Sequence, residues 1–394
     1  HALIEQPERA FFQPRFSPDG NYLSYVSDEG DWFNLKIVDA DTFEPIRLLE
    51  DPAEHGQPAW VQGMRTYGWR SDGGGIYYLR SRRGFSSLCY YDLESDETFR
   101  LGGCIEKYTQ LSQICTTSGS TVIAVLASAP DIAPQVVRLE EKDGRKVDAE
   151  IVQKSLREDL PGEPPRIIEF TAGNVPCHGL LWKPGETTGH GSRLPTIIKI
   201  HSGPTSQYSA EFELDNLFFT SRGYQVLALN YRGSSGHGRS FRDLLRETWG
   251  VFDVEDVEHA RKKLLDEHGA DPDRIVLMGG SAGGYTLLRT LIQYPGAYRA
   301  GICRYGVTDL LALTQETHKF ERHYLDWLIG PLPEEERRYR ERSPLESVEQ
   351  IQDPLAIFQG TDDKVVPPEQ SRAVARSLEA RRIPHHYREF EGEG

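Results

Sequence analysis

The sequence has no run of roughly 18 apolar residues, no Cys-x-x-Cys pair and no excess of basic charge. The first absence excludes a membrane-spanning helix. The longest apolar stretches are short, such as 275–278, and read as buried strands. The five cysteines stand at positions 89, 104, 115, 177 and 303. Their odd number and spacing fit neither a zinc site nor a disulfide framework, so free packing thiols in a reducing compartment, the cytoplasm, are expected. The formal net charge of −15 disfavours nucleic acid and anionic membrane as partners, because both call for a basic face. The twelve histidines are scattered without ligand spacing, so no metal and no cofactor is indicated. The chain also lacks an initial Met. It starts at His1 and stops at Glu391-Gly392-Glu393-Gly394, inside what reads as a loop. Both ends are therefore expected to be cut, and a signal peptide upstream stays open.

What is present is a soluble globular composition, 38% hydrophobic and 27% charged, over 394 residues. That length predicts two domains. Residues 1–164 read as short strands broken by turns. Tyr22-Leu23-Ser24-Tyr25-Val26 follows the turn Ser17-Pro18-Asp19-Gly20. Ile76-Tyr77-Tyr78-Leu79 follows Ser71-Asp72-Gly73-Gly74, and Val122-Ile123-Ala124-Val125-Leu126 follows Thr117-Ser118-Gly119-Ser120. The interval is roughly fifty residues, the length of a propeller blade. About three blades are visible, and a closed propeller needs at least about four, so further blades are expected before His1.

A proline-rich link, Leu160-Pro161-Gly162-Glu163-Pro164-Pro165, marks the boundary. In residues 165–394 apolar runs at 196–200, 225–229, 275–278, 300–303 and 355–358 alternate with helical segments. The clearest helix is predicted over 253–268, capped by Asp253 and stopped by Gly269. Such alternation predicts a mostly parallel, doubly wound sheet with both faces covered.

The strongest chemical signal is Gly279-Gly280-Ser281-Ala282-Gly283-Gly284. It contains Gly279-x-Ser281-x-Gly283 between an apolar strand and a helix carrying Leu287, Leu288 and Leu291. In that context the motif is a nucleophile elbow, with Ser281 exposed on a turn too tight for flanking side chains. The segment Ile200-His201-Ser202-Gly203-Pro204 ends an earlier strand. The Gly203 and Ala282 amides are predicted to form an oxyanion hole, with His201 orienting the loop. Asp362, in Gly360-Thr361-Asp362-Asp363-Lys364, follows the strand at 355–358 and is the expected acid, in the order Ser, acid, His. The base is the gap. His385 and His386 begin a final strand and read as surface residues. His318 and His323 fall in a surface excursion between elbow and acid.

Together these motifs resemble the prolyl oligopeptidase family of serine peptidases, and within it the acylaminoacyl-peptidase-like branch. Asn230-Tyr231-Arg232-Gly233-Ser234-Ser235-Gly236-His237-Gly238, Trp249-Gly250, Asp253-Val254-Glu255-Asp256 and Gly306-Val307-Thr308-Asp309-Leu310 carry the resemblance along with the elbow. It implies an α/β-hydrolase domain capped by a β-propeller that restricts entry to short peptides. It implies Ser281 as nucleophile, Asp362 as triad acid, and Gly203 and Ala282 at the oxyanion positions. The family usually has His-Gly-Gly-Pro where this chain has His201-Ser202-Gly203-Pro204, so a left-handed backbone at Ser202 would be strained. The family's histidine lies in a Glu-Gly-His-Gly-like loop, and this chain stops at Glu393-Gly394. The triad histidine is therefore expected just past the chain end, and residues 1–394 alone are expected to be nearly inactive.

The expected function is hydrolysis of short peptides or acyl-peptides through an acyl-enzyme. A carboxylesterase of the same fold and a non-catalytic propeller binding module are the rivals. The sequence leaves a homo-oligomer open.

Overall fold

Strand follows turn through residues 11–154, as the spacing predicts. The structure, a computed structural model, describes residues 6, 8–60, 62–117, 119–142, 145–155, 162–185, 193–316 and 321–394. His1, Ser118, the Leu160-Pro161 start of the linker and His318 lie outside these. The chain divides at Pro164 and Pro165 into two units, the first of which also takes in residues 209–217 and 235–241.

The first unit carries three antiparallel sheets. Strands Phe11–Phe16, Tyr22–Gly30, Trp32–Asp39 and Pro45–Leu48 form one. Tyr67–Trp69, Gly75–Arg82, Phe85–Asp92 and Glu97–Arg100 form the next. Gln110–Thr116, Val122–Ala129, Ile132–Glu141 and Lys146–Lys154 form the third, with Gly102–Gly103 added in parallel at its edge. The turn glycines Gly20, Gly73 and Gly119 have φ of 79°, 78° and 76°, a left-handed backbone that suits glycine. Side chains alternate across each strand, so one sheet feeds two cores. Ile76 and Tyr78 pack with Val26, Leu35 and Ile37 of the sheet before. Tyr77 and Leu79 pack with Ile123, Val125 and Val137 of the sheet after. Small sheets stacked face to face in succession are the construction of a β-propeller.

The second unit is built on one eight-stranded sheet: β1 (Arg166–Ala172), β2 (Val175–Trp182), β3 (Leu194–Ile200), β4 (Gln225–Asn230), β5 (Ala270–Gly280), β6 (Ala300–Arg304), β7 (Leu355–Gly360) and β8 (His385–Phe390). The spatial order is β1-β2-β4-β3-β5-β6-β7-β8, antiparallel at β1 and β2 and parallel from β4 onward. This is an α/β-hydrolase sheet. Ile197, Ile198 and Ile200 of β3 and Ile275 and Leu277 of β5 are buried with at most 1% exposure. Apolar residues on both faces of a strand require cover on both faces. Helices α1 (Phe252–Glu267), α2 (Ala282–Gln293) and α3 (Pro368–Ala380) lie between the strands in sequence. The expected cap on α1 is corrected. The residue before the helix is Val251 with no side-chain cap, and Asp253 is instead fully buried. Gly269 does end that helix segment, with φ of 70°.

Register aligns the ends of the parallel strands. Ile200 pairs with Gly279, Gly280 with Arg304, Arg304 with Phe358, and Gly360 with Phe390. The loops after β3, β5, β6, β7 and β8 therefore emerge along one edge of the sheet. In open α/β sheets that edge is where ligands bind.

Candidate active site

Ser281 sits between β5 and α2 with φ 51° and ψ −121°, outside the helical region that begins at Ala282. The neighbouring glycines make that turn possible. A Cβ on Gly279 would lie 2.4 Å from the Gly283 carbonyl oxygen, and one on Gly283 would lie 2.3 Å from that of Ile200. The tight strand-to-helix turn lifts the serine to the sheet edge. Its amide donates to the Arg304 carbonyl at 3.0 Å, tying the elbow to β6.

Two clefts meet at this serine. One is open and lined by Ser281, Arg304, Tyr305, Phe358, Asp363 and Gly394, among others. The other is mostly apolar, with Trp249, Val307, Leu313, Tyr324 and Leu328 behind Ser281 and Ala282. An acyl group on Ser281 thus has an apolar recess on one side and an open approach on the other.

The two acids of the expected loop, Asp362 and Asp363, differ in their surroundings. Asp362 is exposed, and its carboxylate meets only the Thr361 hydroxyl, at 3.2 Å, among the described residues. Asp363 lines the open cleft with Ser281. Its Oδ1 accepts the amides of Val365 and Val366, both at 2.9 Å, and Gln359 Nε2 approaches Oδ2 at 3.4 Å. Two amides aimed at a carboxylate fix its orientation. The turn after β8 packs on this loop: the Asp362 amide donates to the Glu393 carbonyl at 2.8 Å.

No imidazole bonds to Ser281, Asp362 or Asp363 among the described residues. His385 and His386 stand at the start of β8, paired with Leu355 and Ala356, while Gly360 pairs with Phe390 at the other end. Five residues of strand, about 16 Å, separate them from the edge that holds the serine. His323 is exposed and bonds Asp326 at 2.9 Å.

His201 is buried between loops. Its Nδ1 meets the Gly203 carbonyl at 2.7 Å, so that nitrogen donates, and its Nε2 accepts from the Ser234 hydroxyl at 2.8 Å. Burial pushes its pKa down to about 4, partly offset by the backbone bonds, so the ring is neutral. It stacks on Tyr231 with ring centroids 4.3 Å apart. Tyr231 Oη in turn donates to the Pro204 carbonyl at 2.8 Å. Ser234 and Tyr231 belong to the Asn230–Gly238 run that the sequence singles out, but their hold on the 201–204 loop is a tertiary fact. Ser202 has no left-handed backbone, so the strain expected there does not arise. The two expected oxyanion positions are adjacent, but the Ala282 amide donates to the Ser202 carbonyl at 3.0 Å.

Residues 210–394 match the prolyl oligopeptidase family. Among curated proteins, the human acylamino-acid-releasing enzyme is 28% identical over 232 residues, covering 56% of this chain and 31% of that protein. Dipeptidyl aminopeptidase BIII of Pseudoxanthomonas mexicana is 30% identical over 206 residues, covering 51% and 30%. Among solved structures, a puromycin hydrolase is 35% identical with a TM-score of 0.91, covering 100% of this chain and 59% of that one. A puromycin-hydrolyzing peptidase of Mycobacterium tuberculosis is 33% identical with a TM-score of 0.89, covering 98% and 59%. The chain spans about a third of the length of these curated relatives and under two thirds of these solved ones.

Proposed function

We propose that the chain is a member of the prolyl oligopeptidase family, which its residues 210–394 match, and that it carries the nucleophile and the acid of a serine peptidase acting on short peptides or acyl-peptides. The observation that supports this most is the strained elbow at Ser281, opening on a cleft that also holds the amide-oriented carboxylate of Asp363. In this reading Ser281 attacks the scissile carbonyl and forms an acyl-enzyme. Asp363, in place of the expected Asp362, holds the imidazolium. The Ala282 and Gly203 amides receive the oxyanion.

The imidazole is assigned to a histidine outside the described residues, none of whose rings bonds Ser281, Asp362 or Asp363. The turn after β8 borders the acid loop, where a Cβ on Gly394 would lie 2.8 Å from the Asp362 carbonyl oxygen. Loss of that histidine is expected to slow turnover by about 10⁴-fold or more. Acylamino-acid-releasing and puromycin-hydrolysing relatives favour amide bonds over simple esters as the substrate class.

The test compares full-length enzyme with its Ser281→Ala variant on a blocked aminoacyl amide and on the matching ester. A fall of about 10⁴ or more on both is expected, with the amide preferred by the parent enzyme. Retained turnover in the variant would remove the serine from the mechanism, and turnover of the ester alone would replace peptidase by esterase.

A further inference from the structure

We propose that the peptide between Ser202 and Gly203 is an autoinhibitory cap on the oxyanion site, which turns over before catalysis. The proposal rests on the reading of Ser281 as nucleophile. Ala282 follows the nucleophile, and its amide would be a donor to the developing oxyanion. Here it donates to the Ser202 carbonyl at 3.0 Å. In a planar trans peptide the C=O and the following N–H point in opposite directions. A Ser202 carbonyl aimed at Ala282 therefore turns the Gly203 N–H away from it. One peptide disables both donors, the first by occupying it and the second by facing it elsewhere.

The structure restricts any rearrangement to that one peptide. Upstream, Ile200 is held in the β3 ladder. Downstream, the Gly203 carbonyl accepts from His201 Nδ1 at 2.7 Å and from the Ser206 amide at 3.1 Å, and the Pro204 carbonyl accepts from Tyr231 Oη at 2.8 Å. Among the described residues the exposed Ser202 side chain makes no hydrogen bond that would resist rotation. A half-turn about the bonds flanking this peptide breaks one hydrogen bond, the one to Ala282. It then turns the Gly203 amide toward the cleft lined by Ser202, Gly203, Ser281 and Ala282 and releases the Ala282 amide to the same space. A neutral carbonyl is the weaker acceptor and an oxyanion the stronger, so the tetrahedral intermediate displaces the cap. The free enzyme is mostly capped, and its apparent affinity is reduced by the uncapped fraction.

Gly203 is the position that makes the half-turn possible. Its φ now lies outside the left-handed region. The rotation changes that φ by half a revolution, toward values that a Cβ opposes.

Crystal structures of the full-length enzyme, ligand-free and with a peptide boronic acid, test the cap. Ligand-free, the Ser202 carbonyl is expected on the Ala282 amide. In the complex, one boronate oxygen is expected to take both the Gly203 and Ala282 amides. A ligand-free structure with the Gly203 amide already facing Ser281 overturns the cap. So does a Ser281 boronate with the Ser202 carbonyl still on Ala282. A boronate bonded to another residue overturns the nucleophile assignment and the cap with it, while the ligand-free geometry judges the cap alone. Gly203→Ala, whose Cβ would stand 3.0 Å from the Ser206 Cβ, is expected to lower kcat of the folded protein about tenfold. Unchanged kcat in that variant contradicts the rotation.

Discussion

Two adjacent carboxylates, Asp362 and Asp363, differ in a way that only the folded loop shows. The amides of Val365 and Val366 converge on Asp363 and leave Asp362 in solvent. In full-length enzyme, Asp363→Asn is expected to lower kcat by about 10⁴, because the imidazole loses the carboxylate that sets its tautomer. Asp362→Asn is expected to change it by about threefold or less, since surface substitutions away from a network are nearly neutral. Steady-state kinetics on the two variants decides between them, and the reverse ranking restores Asp362. The sequence could name the loop, because a strand ends at Gly360 and a turn follows. It could not choose between neighbours whose side chains leave the loop in different directions. The elbow around Ser281 was legible for the opposite reason: a turn this tight has no room for side chains at 279 and 283, so glycine must stand there.

At the scale of elements, the elbow depends on β5 and α2 approaching β3 with no side chain between. Gly283→Ala places a methyl 2.3 Å from the Ile200 carbonyl oxygen and 2.7 Å from that of His201. Neither backbone can yield, so a loss of about 3 kcal/mol is expected. Chemical denaturation of the variant checks it, and a loss below about 1 kcal/mol would show that β3 and the elbow are not held this closely. Helix α1 was legible from its apolar stripe, but its start was misread. Asp253 is buried, accepting from the Gly250 amide at 2.7 Å and the Thr286 hydroxyl at 2.6 Å. An acidic residue at a helix start normally caps, and only tertiary packing reveals that this one is enclosed by α2.

Enclosure has a measurable result. Burial pushes the Asp253 pKa from 3.8 up to about 6 and the His201 pKa from 6.5 down to about 4. The Asp253 contribution is present below pH 3.8 and lost as pH rises through 6, about 3 kcal/mol in all. The His201 contribution is present above pH 6.5 and lost as pH falls through 4, of similar size. The two oppose each other between about pH 4 and 6. Asp253→Asn removes the falling arm, so stability of the variant is expected to rise with pH across that interval more steeply than in the parent. Melting temperatures at pH 4, 5 and 6 show it, and parallel profiles would mean that Asp253 is charged when folded.

For the whole molecule, the order of structure was legible and its closure was not. Turn glycines at 20, 73 and 119 announce three sheets, and apolar runs announce β3 to β7. The joining of residues 209–217 and 235–241 to the first unit has no local sequence signal. It depends on contacts such as the Ser240 amide with Asp31 Oδ1 at 2.6 Å, over two hundred residues apart in sequence. The five cysteines, expected to be free packing residues, are all unpaired, with Cys89, Cys177 and Cys303 buried and Cys104 and Cys115 exposed. No helix among the described residues is long and apolar enough to cross a membrane.

The central claim is that one hydroxyl, that of Ser281, forms the covalent bond to substrate. The most direct measurement is labelling of full-length enzyme with a fluorophosphonate, followed by peptide mass spectrometry. The account predicts a single phosphonyl adduct on the peptide carrying Gly279-Gly280-Ser281-Ala282, lost in Ser281→Ala. An adduct on another serine, or undiminished labelling of that variant, would contradict it.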